Sequence, residues 1–439
     1  MKPNILLLTI DSLRADHLGC YGYHHNTSPH IDALAAEGVL AERFFSEGIP
    51  THPSYTTLYT GQHAITHGII SQGGKARLDV EAPFLPQLLL EAGYTTCAVD
   101  NLWRMRPWFG RGYEYYIDPS VRRNLVLSVD CEEINDRAIS WMQAHHDKPF
   151  FLFLHYWDPH FPYTPPDRYR NLFYEGKNPT DPDNHSLDAY WKQPLGSIAR
   201  ETWLRTANGP ITDAEYVVAL YDGEVRRVDE GIGQILEALN NLGSKQQTLV
   251  ILLADHGESL ANHGIYFNHA GLYDCTTHVP FIARLTGHLP EGVRLPQMVQ
   301  HHDVTATILE AAGLPIPTVM DGQSFWKLLT GQKHEWTYNR AISLECSWQA
   351  KWSLRNDRYK FILARHQDSF GNPLRELYDL NTDPGEEHNI ALELPEIAVS
   401  MEEELEGWIA EHLQALGKNE DPVREQSASL RSTWEALQY

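Results

Sequence analysis

The sequence predicts an α/β fold: a mostly parallel sheet flanked by helices, followed by a small antiparallel sheet near the C-terminus. Three observations carry this. Short apolar runs end in polar, chemically capable residues, helix-period segments separate those runs, and beyond about residue 335 the pattern changes to short alternating strands.

Taken in order, residues 4–10 form an apolar strand that ends at Asp11. A second run, 149–154, leads into His155-Tyr-Trp-Asp158-Pro-His160, and a third, 248–254, ends at Asp255-His256-Gly257. Between them the spacing predicts helices over 31–37, 82–92, 131–145 and 214–242. In such folds ligands sit at the carboxyl ends of strands, where these Asp and His residues fall. The stretch 164–212 is rich in Pro, Asp, Asn and aromatics and reads as an insertion or lid over one face. Runs 340–344, 349–354 and 359–364 are separated by turn signals such as Asn356-Asp357 and predict the antiparallel sheet. A helix over 395–416 follows, with Pro395 in its first turn. The organisation expected is a catalytic domain over 1–335, a C-terminal α+β subdomain over 336–416 and a tail over 417–439. Trp434, Leu437 and Tyr439 make that tail a candidate docking segment for a homo-oligomer.

Composition narrows the function classes. The formal net charge of −23 excludes nucleic acid as a natural partner, because phosphate backbones need clustered Lys and Arg. A small anionic ester substrate would then need a local attractor, and a bound divalent cation is the natural one. No run reaches the roughly 18 apolar residues of a membrane span. The five scattered cysteines, without a CxxC pair, and an N-terminus without signal-peptide features predict a reduced, cytoplasmic setting with no membrane partner.

Asp11, Asp255 and His256 close strands and combine carboxylates with imidazole, a donor set for a divalent metal ion. Taken singly, a strand-terminal Asp is also a good helix cap, but capping does not call for the adjacent His256. Thr51-His-Pro-Ser54 precedes a short helix that Gly61 terminates, which places the Thr51 hydroxyl at a helix N-terminus. On local sequence alone Thr51 is an N-cap.

Seven segments in chain order carry a family resemblance. They are Asp11-Ser-Leu-Arg-Ala-Asp-His-Leu-Gly-Cys-Tyr-Gly22, Thr51-x-Pro-Ser with Gly61 and His67-Gly68, Gly93-Tyr-x-Thr96, and Asp158-Pro-His160-x-Pro-Tyr163, then Tyr221-Asp-Gly-Glu224, Asp255-His-Gly-Glu258 and the stretch from Glu376 to Asn389. Together they resemble the sulfatase family of the alkaline phosphatase superfamily, which implies an alkaline-phosphatase-like sheet and metal-dependent ester hydrolysis. The resemblance implies that Asp11, Thr51, Asp255 and His256 hold the metal and that Thr51 is the nucleophile. Sulfatases carry there a Cys or Ser that becomes formylglycine, with Arg four residues later; this chain has Thr51 and Tyr55. Their Gly-Lys-x-His sulfate clamp is matched by Asp100-Asn101-Leu102-Trp103, the second metal Asp by Ser12, and a later lysine by His269.

Threonine cannot become formylglycine, and a threonine sulfate has no aldehyde through which to expel sulfate. A phosphothreonine is released by attack of water on phosphorus. The expected function is therefore metal-dependent hydrolysis of phosphate monoesters or diesters through a covalent Thr51 intermediate. The cofactor is one divalent ion, Mn, Zn, Ca or Mg, with a second if Asp158, His160 and His269 converge. His160 and His269 are the expected catalytic partners, and Tyr55, Asn101 and His67 the expected substrate contacts. The rival readings are an atypical sulfatase or phosphonate ester hydrolase, a phosphoryl-group transferase, and a non-catalytic binding protein on the same fold.

Overall fold

The computed structural model describes residues 2–120, 129–193, 195–368, 370–425 and 431. Eight strands make the large sheet: β1 (Asn4–Ile10), β2 (Val39–Phe45), β3 (Thr95–Val99), β4 (Tyr115–Ile117), β5 (Phe150–Tyr156), β6 (Thr248–Ala254), β7 (Phe281–Arg284) and β8 (Val293–Gln300). Their order is β8-β2-β7-β6-β1-β5-β3-β4. All neighbours are parallel except β7, which runs against both β2 and β6. β1, β5 and β6 are buried along their whole length, the signature of a sheet covered on both faces.

The helices α1 (Pro29–Ala36), α2 (Thr51–Thr60), α3 (Leu85–Glu91), α4 (Cys131–His145), α5 (Ala214–Asn241) and α6 (His301–Ala311) flank this sheet. The register decides what meets at its carboxyl edge. Ile10 lies beside Tyr156 on one side and Ala254 on the other, so Asp11 and Asp255 emerge next to each other. One row lower, Thr9 is level with His155.

The second sheet joins β9 (Ala341–Glu345), β10 (Lys351–Arg355), β11 (Tyr359–Ala364) and β12 (Arg375–Asp379). Its outer strand is Gly48–Ile49, just ahead of α2, pairing in parallel with β9. The second sheet is thus tied to the segment that carries Thr51. Helix α7 (Pro395–Ala415) packs its Ala398, Met401, Leu405, Ile409 and Leu413 face onto that sheet's core.

The 164–212 segment is folded, with short helices Asp167–Arg170 and Gly196–Glu201 and a small hairpin. It buries Tyr169, Leu187, Tyr190 and Leu204. Among the described residues, no helix is long and apolar enough to cross a membrane. Trp434, Leu437 and Tyr439 lie outside the described residues.

Candidate active site

The carboxyl edge of β1 and β6 is where the site is built. Asp11 and Asp255 follow these strands directly, and both are fully buried. Ser12, after Asp11, sits at φ 59°, a left-handed conformation that a non-glycine residue holds only when its surroundings fix it. They do. The Ser12 N–H donates to Asp255 Oδ1 at 3.2 Å, its hydroxyl donates to Asp11 Oδ1 at 2.8 Å, and its carbonyl accepts the Tyr221 hydroxyl at 2.8 Å. Arg14 extends the same loop to the Glu258 carbonyl at 3.1 Å and Asn262 at 2.9 Å. Three of the sequence motifs are therefore stitched to one another. Gly257 is required by packing, since a Cβ there would lie 2.1 Å from the Cys275 carbonyl oxygen.

Thr51 is the first residue of α2, preceded by Pro50 at the cap position with no side-chain capping bond. The structure thus corrects its role as an N-cap: the hydroxyl is left for the cluster, with Thr51 Oγ1 3.5 Å from His256 Nε2. The helix is pinned there because both Ser54 Oγ and Ser46 Oγ donate to the Asp255 carbonyl at 2.7 Å.

Asp11, Asp255 and His256 form a group whose candidate ligand atoms all lie within 4.8 Å of one another. His256 Nδ1 sits 2.9 Å from the Gly257 carbonyl, so it carries the proton and Nε2 presents a lone pair. That lone pair lies 3.3 Å from Asp255 Oδ2 and 3.9 Å from Asp11 Oδ1. Asp255 Oδ2 is buried without a hydrogen-bond partner, while Asp11 Oδ2 has His155 Nε2 3.5 Å away. Asp11 Oδ1, Asp255 Oδ2 and His256 Nε2, crowded in this way, suit a cation between them. A donor set of two carboxylates, an imidazole and a hydroxyl fits a divalent ion.

The electrostatics agree. Burial, with His269 nearby, lowers the His256 pKa to about 4, which keeps its imidazole neutral and able to ligate. Burial and the Asp11 charge push Asp255 well above the usual carboxylate range. Burial would push Asp11 up as well, but His160, His155 and His256 outweigh it and hold Asp11 below that range.

His160 and His269 stand over the cluster, their ring centroids 5.2 Å apart, and the His269 ring is 4.6 Å from that of His256. His160 Nδ1 is 2.7 Å from the Phe161 carbonyl, which leaves Nε2 to face outward. His269 Nδ1 is held by Glu258 Oε2 at 3.3 Å, and Glu258 accepts the Tyr163 hydroxyl at 2.7 Å. Burial raises the Glu258 pKa to about 7. Burial lowers the pKa of His160, and lowers that of His269 to about 4.

Other expected site residues are taken up elsewhere. Asp158 does not join His160 and His269: its carboxylate accepts the Cys131 N–H at 3.3 Å and lies 3.9 Å from Arg227. Among the described residues these three form no metal-ligating group, because the buried guanidinium of α5 draws Asp158 to the other side of the turn. Tyr55 is fully buried, donating to Thr9 Oγ1 at 3.0 Å and packing edge-on to Phe153 and His155. Asn101 is buried and accepts the Trp157 indole N–H at 2.9 Å. His67 uses Nε2 on Thr57 at 2.9 Å and Nδ1 on the Ile69 N–H at 3.0 Å.

Two residues beside the cluster escaped the sequence expectations. His155 Nε2 lies 3.5 Å from Asp11 Oδ2, and His155 Nδ1 lies 2.9 Å from Asp100 Oδ1. Burial alone would lower the His155 pKa, but Asp100 and Asp11 hold it at about 9.

Comparison with known proteins gives the same picture. Residues 3–314 match the sulfatase family model, and residues 261–411 match the model of the N-sulphoglucosamine sulphohydrolase C-terminal region. The uncharacterised sulfatase YidJ of Escherichia coli is 25% identical, over 98% of this chain and 90% of its own length. A delta 4,5-hexuronate-2-O-sulfatase of Bacteroides thetaiotaomicron is 23% identical over 89% of this chain and 85% of its own. Among solved structures, the phosphonate monoester hydrolase of Agrobacterium radiobacter superposes with a TM-score of 0.74 at 22% identity, covering 94% of this chain and 96% of that one. A 2-O GAG sulfatase superposes with a TM-score of 0.75 at 22% identity, covering 98% of each chain.

Proposed function

The chain belongs to the sulfatase family and is a sulfatase-like hydrolase; from that premise we propose that it hydrolyses phosphate esters, with a divalent metal ion and Thr51 as nucleophile. The observation that supports this is the threonine hydroxyl itself, 3.5 Å from His256 Nε2 beside the buried Asp11 and Asp255 carboxylates. Asp11, Thr51, Asp255 and His256 would hold a single ion, Mn, Zn, Ca or Mg. When bound, such a cation supplies Lewis-acid polarisation of a phosphoryl oxygen and eases proton loss from a hydroxyl.

The residues then divide the work. Thr51 Oγ1 attacks phosphorus; the Thr51 O–P bond forms as the bond to the leaving oxygen breaks. His160, with the lone pair on Nε2, takes the proton that leaves Thr51 Oγ1 and passes it to that oxygen. With the Glu258 carboxyl protonated and donating to His269 Nδ1, neutral His269 donates its Nε2–H to a non-bridging oxygen in place of a clamp lysine. Water then attacks the phosphothreonine, the Thr51 O–P bond breaks, and phosphate leaves with the hydroxyl restored. A sulfate on threonine has no comparable exit, because sulfatase release depends on collapse of a hydrated aldehyde. The substrate is a small anionic ester drawn to the cation despite the net charge of −23.

The test is a side-by-side assay of aryl phosphate monoesters and diesters, phosphonate esters and sulfate esters on metal-loaded protein, with Thr51→Ala as control. Phosphate esters are expected to turn over fastest and Thr51→Ala to lose at least about 10³-fold, the scale of removing a nucleophile. Dominant sulfate turnover would overturn the phosphoryl preference. Metal binding without turnover of any ester would point to a binding protein.

A further inference from the structure

We propose that Asp100 and His155 form a positioning pair that fixes the orientation of Asp11; this rests on the metal-binding reading above. His155 is buried near the carboxyl end of β5, level with Thr9 of β1. Its Nδ1 lies 2.9 Å from Asp100 Oδ1 and its Nε2 3.5 Å from Asp11 Oδ2. Neither His155 Nε2 nor Asp11 Oδ2 has a hydrogen-bond partner elsewhere. Tyr55 at 5.0 Å and Trp157 at 4.6 Å, measured between ring centroids, wall the imidazole so that it cannot turn away. Asp100 is itself anchored: its Oδ2 accepts the Leu102 N–H at 3.0 Å and the Tyr116 hydroxyl.

The two oxygens of Asp11 consequently have different surroundings. Oδ1 faces Ser12 Oγ at 2.8 Å and His256 Nε2 at 3.9 Å, on the side of the candidate ligands. Oδ2 lies on the side of the imidazole, 3.5 Å from its Nε2. A carboxylate that ligates through one oxygen turns about its Cβ–Cγ bond unless the other oxygen is held. Outer partners of metal ligands supply this restraint, and losing one typically weakens metal binding by about 10–100-fold. Burying an aspartate and a histidine away from solvent is also costly without a paired role.

The experiment uses the full chain, stripped with a chelator and titrated with Co²⁺. It measures Kd by competition with a chromophoric chelator, the visible absorption of the bound ion, and circular dichroism of each metal-free variant. His155→Ala and Asp100→Asn are expected to weaken Co²⁺ binding by about 10–100-fold and to alter the absorption bands while circular dichroism stays unchanged. His155→Gln, whose amide N–H can still reach Asp11, is expected to recover part of that loss, which a purely structural role would not produce. Unaltered affinity and bands in a folded His155→Ala protein would overturn the pairing. Should that variant fail to fold, unaltered binding in His155→Gln and Asp100→Asn would overturn it equally. Failure of the unmodified chain to take up Co²⁺ would overturn the metal reading and the pairing together.

Discussion

Two regions of the molecule bury carboxylates, and they neutralise them differently. Under the second sheet, Lys351 lies 2.9 Å from Asp368 and 3.1 Å from Glu376, while Lys360 lies 2.8 Å from Asp274 and 3.3 Å from Glu386. Both lysines are almost fully buried. At the carboxyl edge of the large sheet, Asp11 and Asp255 are equally buried, yet their neighbours are imidazoles and a threonine, and Asp255 Oδ2 has no hydrogen-bond partner. Where the chain supplies its own cation, the cluster is part of the architecture. Where it supplies ligand atoms and leaves Asp255 without one, the proposed divalent ion would balance the charge.

The largest effect should come from exchanging a charge at the second cluster. Asp255→Asn removes a ligand and is expected to lower ester turnover by about 10³-fold or more, roughly 4 kcal/mol of transition-state stabilisation. The metal-free variant should be no less stable than the metal-free parent, because burial already keeps Asp255 protonated there and a neutral amide takes the place of a neutral carboxyl. Loss of activity together with a fall in metal-free Tm would break the comparison. Lys351→Met is expected to do the reverse. It strands Asp368 and Glu376 and should cost about 3 kcal/mol, the lower end for a broken buried pair. The Tyr273 and Tyr378 hydroxyls still donate to Glu376, at 2.6 and 2.8 Å, which keeps the cost there. Urea unfolding measures it, and added metal should not restore the loss.

Metal loading sharpens the contrast. At a free concentration one hundred times Kd, binding to the native state alone stabilises by about 2.7 kcal/mol. Thermal unfolding with and without a chelator should show that gain in the parent and in Lys351→Met, and little of it in Asp255→Asn. An equal gain in Asp255→Asn would move the binding site away from Asp255.

What the sequence made legible follows the strands. β1 and β6 are uninterrupted apolar runs, and the residues after them, Asp11, Asp255 and His256, meet because parallel register leaves no other placement. Thr51 and His269 join them through loops that the motif order marks. Asp158 was not legible, since its direction is decided by Arg227 on a helix remote in sequence. Tyr55, one helical turn after Thr51, turns its ring into the sheet, an outcome of how α2 docks. His155 was obscured because the apolar run 149–154 stops short, whereas β5 continues to Tyr156. β2 and β8 were missed as well; Glu42, Arg43, Arg294 and Gln297 break their apolar pattern, and pairing overrides local preference.

The smallest effect is the most discriminating, because metal should reverse its sign. In the metal-free protein Glu258 has its pKa raised to about 7 by burial, and Asp255 is raised well above its ordinary value by burial and Asp11. An unfolded chain ionises such groups near pH 4. Between about pH 4 and 7 these two groups keep protons in the native state that the unfolded state has lost, so their contribution to metal-free stability should fall as pH rises, while His256 and His269, lowered to about 4, contribute in the opposite sense below about pH 6.5. Each such group contributes at most about 1.4 kcal/mol per pH unit. A bound divalent ion requires Asp255 to be ionised, so protons compete with it and the stability of the loaded protein should rise with pH over the same window. Urea unfolding of the parent and of Asp255→Asn at pH 5, 6 and 7, with and without metal, reads the Asp255 share of both slopes, because the histidine share is common to the two proteins. Opposite slopes identify Asp255 as a ligand whose charge only the ion balances. Parallel slopes would mean that the cluster, like the one around Lys351, is neutralised from within the chain.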